Sequence, residues 1–563
     1  MAKTISIGKQ DFASLREHDC FFVDKTKLIK EWWEAQDDIT LITRPRRFGK
    51  TLNMSMLNCF FSNTYKNRGD LFEGLFIWED AEYRKLQGTY PVLFLSFADV
   101  KQTNYENAIQ KIKNIITKVY DQHDYLRNWE GLSQTEREQF ASVTSGMSDV
   151  TAQDALKNIT DYICRYYGKK VIILLDEYDT PMQEAYIHGY WKELTDFVRG
   201  LFNATFKTNS GLERAVMTGI TRVTRESIFS GFNNLNVVTT TSDEYADCFG
   251  FTEEEVFHSL DSMEMGDKKE VVKQWYDGFS FGSHKDIYNP WSITNYLDKK
   301  VLRPYWSNTS SNGLVNKLIR TASADVKEQM EQLLQGKEIV VNFDEQVVFE
   351  QLEQEENAIF SLLVAGGYLK VENVEYRGIT LEPWYHLSIT NLETTSMFSN
   401  MFKGWFDSSQ GSYGRFIKSF IQGDIEAMNY YMNKISMATF SYFDVGTVDG
   451  ESEPERFYHG FVLGLMAEQE QYYDIRSNRE SGFGRYDIMM IPKDRNNITY
   501  PAFVIEFKVH KPNQEANLEE SVQSALKQIT EKNYDAELLA LGIPAEQIRH
   551  YGFAFEGKKV LIG

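Results

Sequence analysis

The stretch Arg44-Pro-Arg-Arg-Phe-Gly-Lys-Thr51 holds residue types and spacings suited to phosphate chemistry. Gly49, Lys50 and Thr51 match the second half of the GxxxxGK[ST] nucleotide-binding pattern, while Arg44 stands where its first Gly belongs. A loop that closes at a helix N-terminus aims backbone N–H groups at an anion, and the helix dipole adds to the attraction. Lys50 can then reach the β- and γ-phosphates of a nucleotide. The Thr51 hydroxyl can ligate Mg2+, and Arg46 and Arg47 add positive charge beside the loop. Taken alone, the stretch also reads as a basic strand-to-helix turn without a ligand. A second stretch changes that balance. Val171-Ile-Ile-Leu-Leu-Asp176-Glu177 is a continuous apolar run ending in two carboxylates, the form of a Walker B strand. Asp176 would hold Mg2+ through water, and Glu177 would orient or deprotonate the attacking water. At the end of a further apolar run, Thr218 is the candidate γ-phosphate sensor. Arg222 or Arg225 could neutralise transition-state charge, or could equally be salt-bridged or surface arginines.

A second constellation lies near the C-terminus. Asp487 leads into the run Ile-Met-Met-Ile, and 19 residues further on Ala-Phe-Val-Ile-Glu506-Phe-Lys508-Val reads as another strand. Residues two apart on a strand share a face, so Glu506 and Lys508 point together while Phe507 faces the core. Antiparallel pairing of the two strands would set Asp487 beside Glu506. Two carboxylates can hold Mg2+ or Mn2+, and the lysine can position or polarise the attacking water.

The elements that must position these residues alternate. Strand patterns at 39–43, 92–97, 171–175, 215–220 and 236–241 are separated by helical patterns, including 104–165 (broken near Gly131 and Gly146) and 190–207. Strands alternating with helices predict a parallel α/β sheet. Residues 300–395 read as mainly helical, with a small hairpin around Tyr-Leu-Lys-Val and Tyr-His-Leu-Ser-Ile. The acidic, Gly-containing segment 444–455 marks a boundary before the last domain.

Together the N-terminal motifs DFASLREHDCFFVDKTKLI, LITRPRRFGKTLNMSML, VLFLSF, LLDEYDTP and MTGITRVTRESIFSGFNN resemble the bacterial AAA-ATPase-like family. WYDGFSF, YNPWSI and YWSNTSSN extend the likeness to about residue 310. The family's RRFGK[ST] form accounts for the absent first Gly. The resemblance implies ATP as ligand and a P-loop sheet of strand order 5-1-4-3-2, followed by a helical lid and a winged-helix-like region. The C-terminal constellation resembles the PD-(D/E)xK nuclease superfamily. That likeness carries over two more positions: Glu455, an upstream acid that contributes to the metal site, and Gln528, a polar helix residue facing it.

Composition bounds the rest. The chain has 563 residues, 60 Lys+Arg against 81 Asp+Glu and a net charge of −21. Bulk-charge coating of nucleic acid is therefore not expected, although a local basic patch is compatible with the charge. Four scattered cysteines with no CxxC pair fit a reducing compartment. No signal-peptide pattern opens the chain, and no apolar run reaches a membrane span, so a cytoplasmic location is expected. The expected organisation is α/β multidomain: an AAA-ATPase-like P-loop domain at 1–245, a helical lid at 246–310, a mainly helical, winged-helix-like region at 311–445, and a restriction-endonuclease-like α/β domain at 446–563. The expected function is an ATP-binding, ATP-hydrolysing switch fused to a Mg2+-dependent nuclease. Its partner is nucleic acid (DNA or RNA) as substrate, not a membrane, with a homo-oligomer or protein partner possible. The alternative is a nucleotide-regulated scaffold whose nuclease-like domain only binds.

Overall fold

A computed structural model describes the chain apart from residues 1–2, 208, 223–227, 230–231, 308–313, 316–317, 320–321, 335, 345–356, 399–409, 440–452, 467–468, 470–471, 483, 495–499 and 512–514. The described residues form two compact units, Met1–Val315 with Val340–Thr395, and Asn316–Ile339 with Ser396–Gly563.

In the first unit, β1 (Ile39–Thr43) runs through the phosphate-loop stretch into α1 (Lys50–Phe61). There follow β2 (Val92–Ser96), α2 (Tyr105–Gln122), α3 (Gln134–Ser142), α4 (Asp149–Tyr167), β3 (Val171–Asp176), α5 (Thr180–His188), α6 (Trp191–Phe202), β4 (Leu212–Gly219) and β5 (Leu235–Val238). Asn104, Ser133 and Ser148 cap α2, α3 and α4 with their side chains, which is why the long helical stretch breaks where it does. The five strands are all parallel, in the order β5-β1-β4-β3-β2. Every residue of β1 and β3 is buried, as expected of strands covered on both faces.

Downstream come β6 (Phe251–Thr252), α7 (Glu253–Ser262), β7 (Phe279–Phe281), β8 (His284–Tyr288) and α8 (Pro290–Lys299). The Thr252/Glu255 capping box opens α7, and Asn289 with Pro290 at the first turn opens α8. Residues 300–395 are less helical than expected. They hold the three-stranded sheet of β9 (Ile339–Val341), β10 (Leu369–Arg377) and β11 (Glu382–Ile389), with β10 and β11 antiparallel, together with α9 (Ala358–Ala365), and they also contribute the helix Ala324–Leu334 to the second unit. The β10–β11 hairpin is far longer than its Tyr-Leu-Lys-Val core suggested. Its outer half is exposed, so the charged residues there lie on a solvated strand, while the acidic run 350–356, expected as a solvated helix face, is outside the described residues.

In the second unit, α10 (Gln410–Gln422), α11 (Ile425–Thr439) and α12 (Glu453–Met466) precede β12 (Tyr473–Ser481), β13 (Gly484–Pro492) and β14 (Ala502–Val509). Then come α13 (Leu518–Glu531), β15 (Ile548–Glu556) and β16 (Lys559–Ile562), and the sheet runs β12-β13-β14-β15-β16. All its pairs are antiparallel except β14–β15. The residues ahead of Asp487 are themselves the end of a hairpin, with Ser477–Ser481 of β12 pairing against Gly484–Ile488 of β13. One core, including Phe416, Met432, Val462, Phe503 and Phe553, joins the helices 410–466 to one face of the sheet.

The edge strand β16 is covered in an unusual way. Asn429 and Asn433 each donate to and accept from the backbone of Ile562 and Val560, at 2.6–3.0 Å, and Ser436 donates to the Lys558 carbonyl. Four helical residues rise about 6 Å and two strand residues about 6.6 Å. Two amides one turn apart therefore continue the strand ladder, closing an edge that would otherwise template aggregation.

Candidate functional sites

The phosphate loop is shaped by two left-handed residues, Arg47 at φ 65° and Gly49 at φ 81°, the second forming the N-cap of α1. Adjacent tips of the parallel sheet supply the polar residues around it. Thr51 Oγ1 donates to Asp176 Oδ2 at 2.7 Å, and Thr218 Oγ1 donates to Asp176 Oδ1 at 2.5 Å. Burial raises the Asp176 carboxyl above its ordinary range and the neighbouring Glu177 charge adds to this, while the two hydroxyls and Lys50 oppose it. Lys50 is 4% exposed. It donates to the carbonyls of Arg44 (3.0 Å) and Pro45 (2.9 Å), with Glu177 at 4.0 Å. Glu177 stands just beyond β3 at φ 55°, a costly conformation for a side-chain-bearing residue, and accepts from Thr180.

The structure thus brings Lys50, Thr51, Asp176, Glu177 and Thr218 together. Arg46 and Arg47 are held differently. Arg46 reaches Gln183 at 3.3 Å, and the Arg47 guanidinium lies 4.4 Å from the Trp291 ring centroid. Arg222 lines a small pocket with Thr43 and Thr239 that Lys50, Thr51, Asp176 and Glu177 do not line. Arg225 is outside the described residues.

Several residues around this site escaped the sequence reading. Arg44 is fully buried, its guanidinium donating to the Thr43, Thr239 and Glu244 carbonyls and lying 4.5 Å from the Phe281 ring centroid. Burial lowers its pKa to about 9. The residue in place of the first Gly is therefore a structural plug that points away from any phosphate-facing role. Asp179 is fully buried and accepts from the Ile220 and Thr221 backbones, the Thr221 hydroxyl and Gln183, tying α5 to the end of β4. Asn289 and the Trp306 indole both donate to the Arg46 carbonyl, so residues far downstream hold the loop backbone. Behind them, buried Glu393 accepts from Ser292 (2.8 Å) and from the Trp306 (2.5 Å) and Ser307 backbones. Burial pushes its carboxyl up to about 7. The only sequence signal for these was the local richness in Asn, Trp and Asp; their partners lie tens to hundreds of residues away.

In the second unit, β13 and β14 pair through Ile488–Ile505, which sets Asp487 opposite Glu506 one step further along. There the Asp487 carboxylate accepts from the Phe507 N–H at 2.8 Å. Glu506, 3% exposed, accepts from Lys508 at 3.4 Å and from the Gln528 amide. Gln528 also donates to Tyr534, whose hydroxyl donates to the Arg485 carbonyl. Gly552 sits beside Glu506 on β15, and a Cβ there would come within 2.8 Å of the Val522 carbonyl. That missing Cβ lets α13 approach the sheet closely enough to present Gln528. His459 packs against Phe507 with ring centroids 5.5 Å apart, and burial pushes its pKa down to about 4 against a hydrogen bond to the Asp487 backbone. Glu455 lies in the first turn of α12, and its side chain is outside the described residues.

Asp487 and Glu506 are hard oxygen donors on adjacent strands, a set that suits Mg2+ or Mn2+. Thr51 and Asp176 suit Mg2+ equally. The two acid-rich triplets among the other described residues each already hold a lysine. Lys27 bridges Glu31 and Asp247, and Lys273 pairs with Glu253 and lies within 4.0 Å of Asp277 and Asp286.

Comparison with known families agrees with both geometries. Residues 6–229 match the family model described as Predicted AAA-ATPase. Residues 453–563 match that of the PD-(D/E)XK nuclease superfamily. The chain carries an AAA-ATPase-like domain and a PD-(D/E)XK superfamily domain. A protein of Azotobacter chroococcum mcd 1, described as "Uncharacterized protein in vnfD 5'region", is 26% identical over 393 residues, or 69% of this chain and 68% of that protein. Its description assigns no activity. No helix among the described residues is long and apolar enough to cross a membrane.

Proposed function

We propose that the chain is an ATP-binding, ATP-hydrolysing switch joined to a metal-dependent nuclease. The observation that carries the first half is the double hydroxyl clamp on Asp176 by Thr51 and Thr218, beside Lys50 at the end of the loop. In this reading Gly49, Lys50 and the Arg46 and Arg47 side cradle the nucleotide phosphates, and Mg2+ is held at Thr51 and Asp176. Glu177 takes the proton of the attacking water, and Thr218 senses the γ-phosphate through its bond to Asp176. In the second unit Asp487 and Glu506, with Glu455, hold Mg2+ or Mn2+, which supplies Lewis-acid activation of the scissile phosphate. Lys508 and Gln528 position the water that attacks a DNA or RNA phosphodiester. Helix α9 followed by the long β10–β11 hairpin supports a winged-helix-like middle region.

Residues 451–563 carry a net charge of −5, which favours a substrate end or a short single strand over extended duplex contact. The test is incubation with Mg2+ or Mn2+ against single- and double-stranded DNA and RNA, with hydrolysable and non-hydrolysable ATP analogues. Nucleotide-dependent cleavage that disappears in Asp487→Ala supports the reading. Nucleotide binding without any cleavage or metal binding moves the second unit to a scaffold role.

A further inference from the structure

In a parallel α/β sheet ligands gather at the C-terminal tips of the strands. Here the tips of three neighbouring strands, β5, β1 and β4, converge on a pocket apart from Lys50 and Asp176. Thr43 ends β1, Thr239, Thr240 and Thr241 follow β5, and Arg222 follows β4. Helix α9 closes it with Ser361.

Three properties of this pocket point to an anion. Its lining contains one cation, Arg222, five hydroxyl residues and no carboxylate, in a chain whose net charge is −21. Ser361 is 3% exposed and its hydroxyl has no hydrogen-bond partner among the described residues. A buried helical serine ordinarily donates to the carbonyl one turn back, and leaving it unsatisfied is destabilising. Arg222 likewise makes no hydrogen bond or ion pair to any described residue, so its guanidinium is available to a ligand. The cavity offers about 20 Å³ to the centres of water-sized atoms. That accepts roughly one or two such atoms. It fits the leading oxygens of a small oxyanion whose remainder stays in the open mouth, and excludes a nucleoside. A single water would satisfy Ser361, whereas an oxyanion would also pair with the partly exposed Arg222 guanidinium.

We propose that this pocket is a second anion site of the N-terminal unit, distinct from the phosphate loop, and that it binds a small tetrahedral oxyanion of the phosphate class. The anion could arrive free in solution or as the γ-phosphate of a bound nucleotide. The experiment separates these sources. The full-length Lys50→Ala protein is titrated calorimetrically with inorganic phosphate at constant ionic strength, with chloride as the counter-anion. Saturable one-site binding is expected, weakened roughly tenfold by a further Ser361→Ala and roughly 100-fold by Arg222→Met, given the strength of hydrogen bonds to charged groups. Melting temperatures without phosphate report that each variant is folded, and Ser361→Val, which fills the cavity, is the second variant. Absence of saturable phosphate binding in Lys50→Ala overturns the proposal and leaves the ATP reading intact. Phosphate affinity indifferent to Ser361 and Arg222 does the same. Failure of the wild type to bind ATP overturns the ATP reading and leaves this pocket standing. Competition of phosphate with a non-hydrolysable ATP analogue in the wild type assigns the pocket to the γ-phosphate, and simultaneous binding assigns it to free phosphate.

Discussion

The two candidate sites are built on opposite plans. Around Lys50 the decisive groups lie at the ends of elements, on a loop and at parallel strand tips. They bond to one another in advance: lysine to loop carbonyls, hydroxyls to Asp176. Around Glu506 the groups lie within strands and a helix, and their meeting depends on the register of β13 against β14 and on the approach of α13 past Gly552. A loop site of the first kind fails when its cation is lost, and it leans on distant residues such as Asn289 and Trp306 that hold the loop backbone. A register site of the second kind keeps its fold when a carboxylate is lost but is sensitive to packing behind the strands. Substitutions at the two sites should therefore separate cleanly.

The largest separation is expected in catalysis. Asp487→Ala should lower cleavage on the order of 1000-fold, because one of the metal-binding carboxylates is gone and several kcal/mol of transition-state stabilisation go with it. ATP affinity should not change. Equal cleavage rates for Asp487→Ala and wild type would place any activity elsewhere. The converse test is Lys50→Ala, expected to weaken ATP binding on the order of 100-fold in calorimetry, since charge-assisted bonds to phosphate are lost. Divalent-metal binding in the second unit should be unaffected. Glu177→Gln should retain ATP binding and lose hydrolysis, because it leaves the loop and its lysine in place.

How much of this was legible in the sequence follows from the same contrast. The Gly49-Lys50-Thr51 turn and the Asp176-Glu177 strand end are local patterns, and the apolar run that becomes β3 announces burial on both faces. Glu506 and Lys508 share a face by strand alternation alone. Arg44, Asp179 and Glu393 were not legible as structural residues, because each works through partners far along the chain and nothing in the local pattern names them. Arg222 looked like a partner of the phosphates by its place after β4; only packing shows it lining a different pocket. In residues 300–395 the hairpin around Tyr368–Val371 and Tyr385–Ile389 was legible, but the sheet it belongs to was not, because Ile339–Val341 is too short a strand for any periodicity to show.

The two units should also differ in the sign of their pH response. Burial raises Glu393 from 4.5 to about 7, so its contribution to the first unit is fully present below pH 4.5 and is lost as pH rises through 7. Asp277, raised to about 7 chiefly by burial, acts in the same direction. Burial lowers His459 from 6.5 to about 4, so its contribution to the second unit is present above pH 6.5 and is lost as pH falls through 4. Raising the pH from 5 to 8 should cost the first unit about 2–3 kcal/mol through Glu393, by the scale of 1.4 kcal/mol per pKa unit, with Asp277 adding to the loss, and leave the second no less stable. Glu393→Gln should reduce the first response without abolishing it. Thermal melts that move together across this range would show that these two groups do not govern stability.

The smallest effect sharpens where the second unit begins. The nuclease-family match starts at residue 453, yet Asn429, Asn433 and Ser436 hold the edge strand that closes the sheet. Asn433→Ala removes both bonds to Val560, leaving a strand N–H and C=O to find water. The expected loss is about 1 kcal/mol, with Asn429→Ala similar, because part-buried backbone groups recover some solvation. Asn433→Asp should be worse than Asn433→Ala. It keeps the acceptor for the Val560 N–H but faces the Val560 carbonyl with a charge that cannot donate. The same geometry predicts that a fragment beginning at 453 associates through the bare β16 edge, while one beginning at 396 stays monomeric at equal concentration. Sedimentation of the two fragments decides the matter: if the shorter one is monomeric and as stable as the longer, the helix 425–439 is packing alone and not an edge guard.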